Sequence, residues 1–231
     1  MKLWKSIVLG VLLWGAPLAL ADSYAQFPGP PIDGSTLRFK QKVEEIYASG
    51  NLERALLIYE KELAPQGDKY AQYMAGYMHL TGRGVEADAG KALAWYQLAA
   101  ERGEPKFIEA RDRLRGSLAP HELDRAQALF AGLWRRYGDR KLILDLVEED
   151  VEILARRDSD SGVFGTSEGA GLVSGYSQDR AGNPYYRRVR EQLEERLRYL
   201  DAMTDPEGLE NSRMDAREAD LRRKIKALDL P

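Results

Sequence analysis

The chain has 231 residues, 31% of them charged and 44% hydrophobic, a length that suits one compact domain with an extension. Its formal net charge at pH 7 is -3, which argues against nucleic acid or an anionic membrane surface as the main partner. Cysteine is absent, so the sequence excludes disulfides, a lipid anchor on cysteine and the usual cysteine-containing zinc sites.

Residues 1–21 are typical of a secretory signal peptide. Two lysines precede an apolar run, and Ala19-Leu20-Ala21 comes directly before Asp22. The alternative, a retained membrane anchor, is less favoured because Gly15 and Pro17 interrupt the apolar run and leave it short for a bilayer. We therefore expect a mature chain that begins at Asp22 and lies in a bacterial periplasm, without a lipid anchor.

Residues 22–35 contain a PGPP run and predict an extended leader that spaces the fold from the cleavage site. Two helices follow, joined by a turn at Gly50-Asn51 and ended by Pro65. Their spacing places one apolar stripe on each helix. The stripes are Leu37, Phe39, Val43, Ile46 and Tyr47 on the first helix, and Ala55, Leu56, Tyr59 and Leu63 on the second.

Residues 70–105 predict a second pair of helices around a glycine loop. Gly82 and Gly84 bracket Arg83 in a tight turn, and Asp88 fits as the cap of the helix that follows. Small residues on the first helix allow a neighbouring backbone to come close, and an apolar stripe runs along the second until Gly103. The small residues are Ala71, Ala75 and Gly76, and the stripe is Ala92, Trp95, Tyr96, Ala99 and Ala100.

These positions together resemble a Sel1-like repeat, a helical-hairpin relative of the tetratricopeptide repeat. Residues 47–65 are similar to a tetratricopeptide repeat, because the loop between their helices is shorter. His79 departs from the pattern, since the family usually has a tyrosine there. The resemblance implies an all-α fold, a short α-solenoid of stacked hairpins, and a protein-binding scaffold.

The remaining chain predicts a cap, a linker and a terminal hairpin. Phe107, Ala110 and Leu114 begin a third, degenerate repeat, and residues 120–137 and 142–154 are expected to cap the repeat domain at 36–157. Six glycines and five serines between Asp158 and Pro184 predict a flexible linker at 158–183. Residues 184–231 carry narrow apolar stripes among many charges, which predict a helical hairpin or a coiled-coil pairing open to self-association.

No catalytic, cofactor or metal site is expected. The two histidines, His79 and His121, stand apart from acids at ligand spacing, and a packing role suits His79 better than a ligand or base role. The glycines of residues 169–175 follow no predicted strand, which argues against a phosphate-binding loop. The acidic run at 148–150 predicts a solvated helix face. The arginine clusters of the last two helices predict pairing with nearby acids, with docking to an acidic partner as the alternative.

Tyrosines are more abundant near the repeat than stacking requires. Tyr47, Tyr70, Tyr73, Tyr77 and Arg83 are the candidate protein-binding residues, because tyrosines on the concave side of a solenoid are good anchors for a peptide. The alternative is that each tyrosine belongs to the repeat core.

The sequence therefore favours a non-enzymatic adaptor that binds other envelope proteins or peptides, with no nucleic-acid partner. A structural subunit of an envelope export complex is a variant of this hypothesis. The alternative from another class is an enzyme acting on cell-wall or polysaccharide material, with Glu44, Glu45 or Glu149 as its acid or base.

Overall fold

The computed structural model describes residues 27–30, 32–162, 183–206, 209 and 211–228, with side chains only to 156 within the second range. This part of the chain is all-α and contains no strand. The predicted fold class is confirmed. The predicted signal peptide at 1–21 and residues 163–182 of the predicted linker lie outside the described residues.

Short connections join the helices up to residue 162. The bounds are α1 Gly34–Ala48, α2 Leu52–Ile58, α3 Lys69–Thr81, α4 Ala89–Ala99, α5 Pro105–Arg115, α6 Pro120–Tyr137, α7 Asp139–Gly162, α8 Pro184–Ala202 and α9 Ser212–Ala227. Helix α2 continues through a π turn, Tyr59–Leu63, into a 3-10 turn, Ala64–Gln66, and α4 ends in a 3-10 turn, Ala100–Arg102. Within the described residues, no helix is both long and apolar enough to span a bilayer.

Aspartates begin three of these helices. The side chains of Asp33, Asp68 and Asp88 accept hydrogen bonds from the backbone N–H of Thr36, Ala71 and Lys91, at 2.7, 3.0 and 2.9 Å. Each bond satisfies an N–H that has no partner within its own helix, so the cap fixes where the helix starts.

Helices α3 and α4 form a closely packed hairpin. Gly76 is buried where they cross, and a Cβ added there would lie 2.6 Å from Tyr96 Cδ1 and 3.1 Å from the carbonyl oxygen of Ala92. Gly82 and Gly84 turn the chain between the two helices with φ values of 68° and 71°, which only glycine adopts without strain. Helix α6 packs on the other side of α4.

The C-terminal helices differ from their prediction. Instead of forming a separate hairpin, α8 and α9 both pack on α7 and share one hydrophobic core with the repeats. The buried Arg196 of α8 pairs with the buried Asp150 of α7. The apolar stripes expected to serve self-association are therefore occupied within the chain. The stripes are Val189, Leu193, Leu197 and Leu200, and Met214, Leu221, Ile225 and Leu228, of which Leu197 and Leu228 are half-buried and the others buried.

Two segments next to the predicted repeat domain at 36–157 also differ from their description in the sequence. Helix α7 continues to Gly162, past the expected start of the linker at Asp158. Part of the leader is not a spacer, because Phe27 is buried against Tyr199 and the carbonyl oxygen of Pro28 accepts a hydrogen bond from Arg196. A long-range contact of this kind leaves no periodic signal in the sequence.

Candidate functional site

The five candidate residues lie on one surface, which we call the tyrosine face: Tyr47, Tyr70, Tyr73, Tyr77 and Arg83. Residues 70, 73 and 77 follow helical spacing along α3 and are half-buried. Helix α1 contributes Tyr47 on one side, and α5 closes the other side through Phe107, whose ring stacks on Tyr73 at 5.2 Å. The surface thus spans the first helix of each of three successive helical pairs.

Arg83 is held rigidly at one end of the tyrosine face. Its Nη1 donates a hydrogen bond to the Tyr47 hydroxyl at 2.6 Å. Its guanidinium carbon lies 5.7 Å from the ring centroid of Tyr47 and 5.6 Å from that of Tyr77, within cation–π range. It forms no ion pair with any of the residues that the structure describes. The result is an oriented, half-exposed cation between two aromatic rings.

Glu44 lies beneath the tyrosine face and is already engaged. Its two oxygens accept hydrogen bonds from the hydroxyls of Tyr59 and Tyr70, at 2.6 and 3.4 Å. Burial, together with the charge and hydrogen bonding of Glu44, raises the pKa of both tyrosines, so both stay protonated donors near neutral pH. Glu44 therefore orients the two tyrosine hydroxyls.

The other candidate acids of the enzyme hypothesis lie on open surface. Glu45 pairs with Lys42 at 3.1 Å on the exposed side of α1, and Glu149 is exposed on α7. Over the described part of the chain, no three His, Asp or Glu side chains converge to hold a metal ion. The structure does not gather these carboxylates into a cleft.

Tyr73 has a different role from its neighbours on α3. Its ring lies between Tyr96 and Phe107, with both centroids at 5.2 Å and interplanar angles of 18° and 29°. Burial raises the pKa of its hydroxyl. Tyr73 thus acts mainly as a stacking residue, whereas Tyr47, Tyr77 and Arg83 form a separate group around the guanidinium.

His79 is buried in a polar contact that the sequence does not reveal. Its Nε2 lies 2.7 Å from Glu60 Oε1, and Lys91 Nζ lies 3.2 Å from the same oxygen. Although burial acts to raise the pKa of Glu60, the contacts with His79 and Lys91 lower it to about 2. Glu60 belongs to the π turn of α2, and helical periodicity gives no sign of that turn. His121, by contrast, is exposed on α6.

The repeat-defining residues occupy the crossings and turns of α3 and α4. Gly103 ends the second helix with a φ of 77°. Trp95 stacks on Tyr137 of α6 at 6.1 Å, which joins the pair to its cap. Apart from the exposed loop glycines and the half-buried Gly84 and Asp88, the set is buried: Ala71, Gly76, Ala92, Trp95, Tyr96, Ala99 and Ala100.

This helical pair, with its two loop glycines and its Asp88 cap, is the part of the chain that a known family describes. Residues 69–104 match the family model of the Sel1 repeat. The match begins at the first residue of α3 and ends just before α5, so it covers the hairpin and nothing beyond it. Sel1 repeats generally mediate protein–protein interaction. No curated protein and no solved structure matches the chain significantly.

The segment that matches the Sel1 repeat supplies most of the tyrosine face. Tyr70, Tyr73, Tyr77 and Arg83 lie inside the matched range, whereas Tyr47 comes from the preceding helical pair. Two contributors were missed by sequence reasoning, Phe107 and the supporting Glu44. Phe107 was recognised only as a core residue of α5, and nothing local to Glu44 indicates that two tyrosine hydroxyls reach it.

Proposed function

We propose that this chain is a protein-binding module that holds a segment of another protein on its tyrosine face. The observation that carries the proposal is the placement of Arg83, a guanidinium without an acidic partner among the described residues, between the rings of Tyr47 and Tyr77. Tyrosine and arginine are the residue types that dominate binding energy at protein interfaces.

The supporting contacts explain why this surface is ready to bind. The Tyr70 hydroxyl is tied to Glu44, the Tyr73 ring is stacked on both faces, and the Arg83 guanidinium is hydrogen-bonded to Tyr47. Side chains that are already ordered lose little conformational entropy when a ligand binds, so the affinity for that ligand is higher. The Sel1 repeat at 69–104 supports the same class of function.

The more specific form of the proposal is an adaptor of the bacterial periplasm. It rests on the signal-peptide pattern of residues 1–21 and on the absence of cysteine. Mass spectrometry of the N-terminus of the chain made in a bacterium, combined with cell fractionation, tests it. We expect a chain that begins at Asp22 in the periplasmic fraction. An uncleaved chain in the cytoplasmic fraction would contradict the periplasmic location. It would leave the proposed binding role unaffected.

The binding role is tested with four single variants of the full chain. The immobilised protein is exposed to an envelope extract, the retained protein is identified and purified, and its affinity is then measured by titration. Arg83→Ala and Tyr77→Ala are each expected to weaken binding about tenfold or more, as loss of a hot-spot residue does. The matched controls are Arg223→Ala on α9 and Tyr185→Ala on α8, both at exposed positions.

The outcome that overturns the proposal is equally specific. If Arg83→Ala and Tyr77→Ala bind the purified partner as tightly as the two controls do, the tyrosine face is not the binding surface. Circular dichroism of all four variants checks that each remains helical. A lower affinity then reflects lost contacts with the partner and not unfolding.

A further inference from the structure

The outer side of the first helical pair carries a groove that the tyrosine face does not use. It lies between α1 and α2 and encloses about 520 Å³. We call this surface the end face. Its main lining residues are Phe39, Lys42 and Ile46 of α1, and Arg54, Leu57 and Glu62 of α2.

The end face exposes two large apolar side chains. Leu57 is 55% exposed and Phe39 is 36% exposed, although both are large hydrophobic side chains. Helical repeats bury their apolar faces by stacking on neighbours, and an end repeat that lacks a polar outer surface leaves one face open to water. Among the described residues, α2 and the turns that continue it pack on α3 and α6, and the end face stays open.

Two opposite charges flank this apolar centre at equal separation along α2. Arg54 lies four residues before Ile58, which lines the groove, and Glu62 lies four residues after it. The π turn at Tyr59–Leu63 rotates each residue through a smaller angle than an α turn, which keeps Glu62 near the line of Arg54 and Ile58. Neither Arg54 nor Glu62 forms an ion pair with a described residue.

When two copies of α2 lie antiparallel, the positive charge of each copy comes opposite the negative charge of the other. We propose that two copies of the chain associate through the end face, with α2 of one copy antiparallel to α2 of the other about a two-fold axis near Ile58. Arg54 of each copy then meets Glu62 of the other, and the two Leu57 side chains are buried between them. A two-fold interface uses the same patch on both subunits, so one charge pair in the sequence becomes two pairs in the dimer.

The dimer has a functional consequence for a binding module. Each pair of chains would carry two tyrosine faces, and a ligand with two binding segments would be held by avidity. The end face itself does not depend on that role, since it shares no residue with the tyrosine face.

The first test measures association of the purified full chain by sedimentation equilibrium over a wide concentration range. We expect a reversible monomer–dimer equilibrium. Leu57→Glu places a charge at the centre of the contact and should raise the dissociation constant about tenfold or more. Leu37→Glu is the matched control, because Leu37 is 58% exposed and does not line the groove. It should leave the equilibrium unchanged.

The second test uses charge reversal to establish the antiparallel geometry. Arg54→Glu and Glu62→Arg should each weaken the dimer, because each places like charges opposite one another twice. The double variant R54E/E62R should recover the wild-type affinity to within a few-fold. A mixture of the two single variants should form a heterodimer, since all four charges are then complementary.

A chain that stays monomeric at every concentration overturns the proposal and leaves the end face to another protein. A dimer that Leu57→Glu does not weaken also overturns it, as does a double charge reversal that is no tighter than the single variants. All the substituted side chains are exposed, so each variant should fold as the wild type does. Thermal melting of each variant checks this, which distinguishes a weakened dimer from a misfolded chain.

Discussion

Arg102 and Asp139 form a two-bond ion pair across the junction between the Sel1 repeat and α7. Nε and Nη2 of the guanidinium each donate to a carboxylate oxygen of Asp139 at 2.8 Å. Lys69 Nζ lies 3.1 Å from the same carboxylate, and the side chains of all three residues are at most 5% exposed. The first and last turns of the repeat hairpin are thereby joined to the helix on which α8 and α9 pack.

Asp139→Asn should destabilise the protein strongly. It removes the negative charge that Lys69 and Arg102 share, and breaking a buried ion pair by removing one partner costs about 3–5 kcal/mol. The free energy of unfolding, measured with urea, is expected to fall by that amount. Glu109→Gln, which breaks an exposed ion pair with Arg113, should change it by less than about 1 kcal/mol. Equal effects of the two substitutions would contradict this account of the junction.

Glu101, which is in the same cluster, should make stability depend on pH. Burial raises the pKa of Glu101 to about 7, although Lys69 lies 2.5 Å away and opposes the shift, and the charge of Asp139 adds to it. The folded protein therefore binds this proton more tightly than the unfolded chain does. The contribution is fully present below pH 4.5, the ordinary value for the side chain, and is lost as the pH rises through about 7.

The measurement is the free energy of unfolding across that window in the wild type and in Glu101→Gln. The wild type should lose up to about 3 kcal/mol more than the variant between pH 4.5 and pH 8. Parallel curves for the two proteins would show that Glu101 titrates alike in the folded and unfolded states.

Gly76→Ala should weaken the crossing of α3 and α4. The added methyl group would lie 2.6 Å from Tyr96 Cδ1, and overpacking of this kind costs about 1–3 kcal/mol. Gly132→Ala is the matched control on α6, where a Cβ meets nothing within 4 Å. There, alanine should stabilise the helix by about 0.5–1 kcal/mol. Thermal unfolding of both variants should therefore show shifts of opposite sign.

Gly84→Ala should destabilise the repeat loop more than Gly50→Ala destabilises the first turn. Both glycines have positive φ, 71° and 85°, so alanine is strained at either position by about 1–2 kcal/mol. Only at Gly84 would the Cβ also collide with backbone, 2.5 Å from the carbonyl carbon of Leu52. A midpoint in urea that is lowered equally by the two substitutions would rule out this second, steric contribution.

Local patterns in the sequence were sufficient to predict the helices of the repeats. The Asp88 cap, the glycines at 82, 84 and 103, and the small residues near Gly76 each act over a few residues, so their effect is visible in the order of amino acids. The all-α class and the Sel1 repeat follow from them. The tyrosines could also be nominated in this way, because helical spacing brings Tyr70, Tyr73 and Tyr77 to one side of α3.

Only the tertiary structure showed which helices pack against one another. Periodicity shows that α8 and α9 have apolar stripes, but not that α7 buries them, since a stripe fits any apolar partner equally well. The charged contacts depend on residues far apart in the chain, 37 positions for Arg102 and Asp139 and 46 for Asp150 and Arg196. The amino-acid order alone therefore determined the repeat helices and their buried sides. The long-range packing determined that α8 and α9 share a hydrophobic core with the repeats, and that Arg83 stands without a carboxylate partner among the described residues.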